Sequence, residues 1–181
     1  MKIPQELKER RQFVLWKIPG KKKEKQPAGV NKRGRFVFKE WGNPENWLTY
    51  DEALELVRQG KAGGIGFAFN GNGFYGVDLD NVFIDGVLIP EAQDIVNTLD
   101  CYTAYSSSGE GLHILVYAPS VDLLAGHGTG KHKYVFPGYE PITYIDDDRE
   151  EKEKRRQVEY YQSSGYFALT GKPYKRGVVG C

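Results

Sequence analysis

The sequence predicts an α+β chain, and three observations carry that reading. Short apolar and aromatic runs recur between Gly, Asn and Asp turns, as strands do. A few intervening stretches show helical spacing and helix-start signals. One strand, Ile65-Gly66-Phe67-Ala68-Phe69 followed by Phe74-Tyr75, leads into Gly76-Val77-Asp78-Leu79-Asp80. Side chains on a strand alternate faces, so Asp78 and Asp80 point the same way, roughly 6–7 Å apart along the backbone.

The elements follow in order. Residues 4–11 predict a short helix opening into the strand Phe13-Val14-Leu15-Trp16, with Trp16 in the core. Residues 19–35 read as a basic loop rich in Gly and Lys. Thr49-Tyr50-Asp51-Glu52 is a capping box, Thr49 at the N-cap and Glu52 at N3, and its helix runs to about Arg58. Gly63-Gly64 opens a strand, Asn70-Gly71-Asn72-Gly73 is expected to close a hairpin, and the Asp78 strand returns. Pro90 suits a first helical position, with Ala92, Ile95, Val96 and Leu99 following at helical spacing. Strands are expected at 102–106, 112–117, 157–162 and 166–169. The stretch Asp146–Arg156 is almost wholly charged and reads as a mobile loop or solvated helix.

Composition bounds the function. The chain has 181 residues, 40% hydrophobic and 13% aromatic, enough for a sizeable core. No run approaches a membrane span, and no apolar stretch follows the Lys-rich N-terminus as a secretory signal requires. Cys101 and Cys181 form no Cys-x-x-Cys pair, which argues against a zinc ribbon. A cytoplasmic setting in a bacterial, archaeal or phage-infected cell is expected. The net charge of +1 hides an asymmetry. Residues 1–39 hold 13 Lys and Arg against 3 acids, residues 40–150 hold 5 against 18, and residues 151–181 hold 7 against 3. An acidic middle flanked by basic segments suits a metal site beside a polyanion track.

Three constellations carry chemistry. Two carboxylates at about 4 Å repel by roughly 4 kcal/mol at an effective dielectric near 20. A protein keeps such a pair when a cation or a shared proton lies between them. Asp78 and Asp80 are therefore a candidate platform for Mg²⁺ or Mn²⁺, which prefer hard oxygen ligands. The second constellation is Ser106-Ser107-Ser108-Gly109-Glu110-Gly111-Leu112-His113. Its backbone N–H groups suit phosphates, and His113, which could otherwise be a core histidine, is read as a grip on a nucleotide triphosphate. The third is Val158-Glu159-Tyr160-Tyr161, where Glu159 would complete a two-metal site for phosphoryl transfer.

This ordered set resembles the primase–polymerase (PrimPol) domain of the archaeo-eukaryotic primase superfamily, in the phage and plasmid replication type. The residues that carry it are Gly-Val-Asp-Leu-Asp at 76–80, Ser-Gly-Glu-Gly-Leu-His at 108–113, Val-Glu-Tyr-Tyr at 158–161 and Tyr-Phe-Ala-Leu-Thr-Gly at 166–171. Trp16, Lys25-Gln26-Pro27, Trp47 with Tyr50-Asp51-Glu52-Ala53, and Gly63-Gly64-Ile65-Gly66-Phe67 match its N-terminal pattern. The resemblance implies an archaeo-eukaryotic primase fold, an RRM-like catalytic sheet with an N-terminal α/β unit. It implies one catalytic domain over residues 1–181, with a basic part at 1–60 and a catalytic core at 61–181.

By the same resemblance, Asp78, Asp80 and Glu159 would hold Mg²⁺ or Mn²⁺. His113, with Ser107, Ser108, Gly109 and Gly111, would hold the incoming nucleotide. The activity implied is template-directed nucleotidyl transfer on single-stranded DNA from nucleoside triphosphates, with a replicative helicase domain or protein as a partner. The family often has an Arg where Gly165 precedes Tyr166-Phe167, so Lys131, Lys133 or Arg156 is the substitute cation. The chain ends soon after the last motif without helicase motifs, which predicts a trimmed or stand-alone minimal domain. Nucleic-acid contacts are expected at Lys21, Lys22, Lys23, Lys25, Lys32, Arg33 and Arg35, or else along Lys152–Arg156. Two other classes fit less well: a catalytically weak nucleic-acid-binding module on the same fold, and an Asp-x-Asp nucleotide-sugar transferase. A Tyr160/Tyr161 endonuclease would need a paired-His metal motif, and His113, His127 and His132 supply none.

Overall fold

The computed structural model describes residues 2–20, 26–120, 131–146, 148–175 and 177–179. The N-terminal third holds α1 (Gln5–Lys8), β1 (Phe13–Trp16), β2 (Gly29–Val30), β3 (Phe36–Val37), a 3-10 turn at Pro44–Asn46 and α2 (Tyr50–Arg58). The middle holds β4 (Gly64–Ala68), β5 (Phe74–Asp80), β6 (Phe83–Ile84), β7 (Val87–Leu88), α3 (Pro90–Leu99), β8 (Tyr102–Tyr105) and β9 (Leu112–Tyr117). The last third holds β10 (Lys131–Val135), β11 (Ile142–Ile145), β12 (Glu151–Lys154), β13 (Gln157–Tyr161), β14 (Tyr166–Leu169) and β15 (Pro173–Lys175). The fold is thus a mixture of helix and sheet, dominated by strands.

Two sheets matter for the site. The larger has the order β10-β13-β5-β9-β8-β15, and the smaller β1-β4-β14. Every ladder in them is antiparallel. Alternation along β5 splits its neighbours between two cores. Tyr75, Val77 and Leu79 pack with Ile89, Ala92 and Val96 under α3. Phe74 points the other way, into a core shared with Phe67, Phe69 and Phe167 of the smaller sheet. Edge-to-face ring pairs fill that second core, Phe67–Phe74 at 5.1 Å and Phe69–Phe167 at 5.0 Å. Such pairs contribute roughly 0.5–1.5 kcal/mol each beyond their buried area. Gly76 lets the layers approach, because a Cβ there would lie 2.6 Å from the rings of both Phe69 and Phe167.

The helices follow their sequence signals. In α2 Thr49 accepts from the Glu52 N–H, while Glu52 accepts from the Thr49 N–H at 2.8 Å. Pro90 begins α3, and Asp100 ends it in the left-handed region. The first helix is shorter than the 4–11 expected: Pro4 offers no side-chain cap, and only Gln5–Lys8 close a turn. Trp16 is a core residue, and its Nε1–H donates to the Ile65 carbonyl. No helix among the described residues is long and apolar enough to cross a membrane.

Two expectations need correction. The turn Asn70–Gly73 does not close a hairpin, because β4 and β5 lie in different sheets. Its amides turn instead to the start of β1. Buried Gln12 accepts from Asn72 Nδ2 at 2.6 Å and donates to the Ala68 carbonyl at 2.9 Å. The charged stretch Asp146–Arg156 is not wholly a loop or helix, since Glu151–Lys154 pair with Ile142–Ile145 as a hairpin. Ion pairs within and beside it take up its charges: Lys152 with Asp146 and Glu150, Lys154 with Glu110, and Arg155 with Glu153.

Candidate metal centre

The centre is built by register. β13 and β9 flank β5, and one row across them aligns Lys133, Glu159, Asp78 and His113 on successive strands β10, β13, β5 and β9. Residues in one row share a face. The next row along places Gln157 opposite Asp80. One ligand atom from each of Asp78, Asp80 and Glu159 therefore falls within 4.8 Å of the others. Glu159 is buried, and the two aspartates are half-buried. Three acidic side chains so close, all presenting oxygen, match the donor set that Mg²⁺ or Mn²⁺ takes.

Neutral donors orient the carboxylates. Tyr161 donates its hydroxyl to Glu159 Oε2 at 2.8 Å. Burial, that hydrogen bond and the charges of Glu159, Asp78 and Asp80 push the Tyr161 hydroxyl well above its ordinary pKa, so it remains a donor. The Gln157 amide donates to Asp80 Oδ2 at 3.1 Å and to Glu159 Oε1 at 3.0 Å. Gln157 was missed in the sequence because it carries no charge. Its signal was there: Gln157, Glu159 and Tyr161 alternate along one strand face.

His113 lies at the edge of this cluster. Its Nε2 is 3.5 Å from Asp78 Oδ1, and its ring stacks on Phe167 at 4.3 Å. The smaller sheet thus holds the imidazole in place through β14. The turn before His113 is partly closed on itself. Ser106 N–H donates to the Gly111 carbonyl, Gly109 N–H to the Ser106 carbonyl and Glu110 N–H to Ser108 Oγ. Gly111 packs against the Leu79 carbonyl, which fixes the turn beside the end of β5.

The other predicted cations are scattered. Lys133 is exposed, one strand from Glu159 in the same row. Lys131 lies two residues away on that strand, opposite Tyr161, and its side chain is outside the described residues. Arg156 points elsewhere, its guanidinium over the Tyr139 ring. Position 165 could not take an Arg without strain: Gly165 has φ +93°, and a Cβ would lie 2.6 Å from the Tyr161 ring. Lys32, Arg33 and Arg35 surround the β2–β3 turn, where Asn31 Oδ1 accepts from the Arg33 and Arg35 N–H groups. Lys32 is 3.5 Å from Glu45. Lys21, Lys22, Lys23 and Lys25 lie outside the described residues. A cleft of about 660 Å³ opens on the opposite face of the sheet, between α3 and Tyr75, Val77 and Tyr160.

The fold and site together define a sheet-borne, three-carboxylate centre flanked by a histidine and a glycine-rich turn. No protein-family model matches the chain. It is similar to the DNA primase-polymerase of Nitratiruptor phage NrS-1, at 29% identity over 167 residues. That alignment covers 90% of this chain and 19% of the phage protein, so the chain spans about a fifth of its relative's length.

Proposed function

We propose that this chain is a DNA primase–polymerase domain of archaeo-eukaryotic primase fold, with residues 1–181 as one catalytic unit. It adds nucleotides to a growing strand on a single-stranded DNA template. The observation that carries this reading is the row of Glu159, Asp78 and His113 with Asp80 beside it, supported by the similarity to the phage enzyme. Asp78, Asp80 and Glu159 hold the divalent cations, Mg²⁺ or Mn²⁺. Such ions supply charge neutralisation for the triphosphate and a lower pKa for the attacking 3′-hydroxyl.

The chain's own groups bind and orient the nucleotide. His113, kept in place by Phe167, and the turn Ser107–Gly111 receive the phosphates. Within that turn Ser107 and Ser108 supply the N–H donors, since Ser106, Gly109 and Glu110 close the turn itself. Lys133 supplies the cation that Gly165 does not. The basic segment with Lys21, Lys22, Lys23, Lys25, Lys32, Arg33 and Arg35 follows the DNA phosphates. The alternative track along Lys152–Arg156 is disfavoured because Lys152, Lys154 and Arg155 are engaged in ion pairs. The test is nucleotide incorporation on single-stranded DNA with Mg²⁺ or Mn²⁺. Wild type should make product, and Asp78→Ala should lose it by several orders of magnitude while remaining folded. Product from Asp78→Ala at the wild-type rate would refute the proposal.

A further inference from the structure

We infer that Gln157 is a positioning residue that assembles the metal centre before any ion arrives, an inference that rests on the metal-centre reading above. The register determines its reach. Gln157 sits directly across the ladder from Asp80 and two residues before Glu159 on the same face. One Nε2 carries two protons, and each has a separate destination: Asp80 Oδ2 at 3.1 Å and Glu159 Oε1 at 3.0 Å. The amide is therefore a bridge between two carboxylates contributed by different strands.

A bridge of this kind acts against repulsion. Three carboxylates presenting oxygens within 4.8 Å of one another repel, and without a bridge that repulsion would drive them apart. A neutral amide lets the acids stay together without cancelling the charge that attracts a cation. A Lys or Arg at 157 would hold them as well but would neutralise the site. Each bridged carboxylate keeps lone pairs for an ion, since the amide takes one oxygen of Asp80 and one of Glu159. Tyr161 fixes the second oxygen of Glu159, so Glu159 has its orientation set from both ends. Asp78 lies outside this bridge and is approached by His113 instead. Groups that orient ligands in this way change metal affinity by about 10–100-fold when removed.

The experiment is direct Mn²⁺ binding, read by electron paramagnetic resonance on the protein without nucleotide or DNA. Gln157→Met keeps the length of the side chain and removes both donors. The expected result is Mn²⁺ affinity about 10–100-fold weaker than wild type, with the variant still folded and melting cooperatively in chelator. Equal affinity would overturn the inference while leaving the metal centre in place. Tighter binding would overturn it too, because the amide would then be a placeholder that the ion must displace. A variant that fails to fold would make Gln157 a structural residue and also overturn it. Absence of Mn²⁺ binding by wild type would instead remove the metal-centre reading itself. Tyr161→Phe gives a second measurement: loss of one orienting bond on Glu159 should weaken Mn²⁺ less than Gln157→Met does.

Discussion

Replacing Asp80 with Asn should make the metal-free protein more stable and the metal-loaded protein less so. Two unit charges at the 4.8 Å limit of the cluster repel by about 3.5 kcal/mol at an effective dielectric of 20. Asp80 faces two such neighbours, a gross repulsion of about 7 kcal/mol. Water around the half-buried carboxylate and the Gln157 bond screen most of this, and single stabilising changes typically return about 0.5–2 kcal/mol. The Asn carbonyl can still accept from Gln157, so the substitution changes charge more than packing. For a domain of this size 1 kcal/mol moves Tm by roughly 2–4 °C, so the variant in chelator should melt roughly 1–8 °C above wild type. Mn²⁺ at a hundredfold excess over Kd should stabilise wild type by about 2.7 kcal/mol, or roughly 5–11 °C. The variant should gain much less, and the order of the two melting curves should invert. Scanning calorimetry with and without Mn²⁺ reads both arms. A variant that melts below wild type in chelator would show that the carboxylates are not under mutual strain.

Three further outcomes follow from local structure. Thr49→Ala should cost about 1 kcal/mol, a Tm loss of roughly 2–4 °C, in thermal melts at neutral pH. The Thr49 N–H, with Arg11, lowers the Glu52 pKa against the opposing effect of burial. Because the folded value lies below the unfolded one, that part of the cap is present above the ordinary carboxylate range and fades as pH falls through it. The gap between wild type and Glu52→Gln should therefore close in acid. Gly165→Arg should destabilise by about 1–3 kcal/mol and should not tighten nucleotide binding, since the backbone at 165 is left-handed and crowded by Tyr161. Nucleotide titration with a parallel melt checks both, and tighter binding on an intact fold would show that the missing Arg was the deficit.

Much of the candidate site was legible because strand alternation is rigid. Asp78 and Asp80 share a face by period alone, and Glu159 and His113 sit in strands whose apolar neighbours announce them. Which strands lie side by side was not legible. Nothing local says that Glu159 stands opposite Asp78, and that pairing rests on contacts far apart in the chain. The Asn70–Gly73 turn misled because Asn-Gly is a strong hairpin signal, while the partner that captures its amides, Gln12, lies remote in sequence. The Glu-Lys alternation at 151–154 misled because a solvated face and a paired hairpin carry the same charges; only the cross-strand neighbours distinguish them.

The smaller sheet has a consequence for how the chain comes into being. Its central strand β4 is flanked by β1, made early, and by β14, made near the end, with Ile65 paired to Leu169. During synthesis β4 can gain its first neighbour quickly, but its other edge stays open until Tyr166–Leu169 emerge. All five residues of β4 are buried in the finished fold, so the waiting edge is an apolar, unpaired template for other chains. Closing so distant a pairing is slow, because the loop entropy is lost before the contact forms. Nascent chains interrupted before residue 166 should therefore aggregate, and a delay in translation over 120–165 should lower the yield of folded protein.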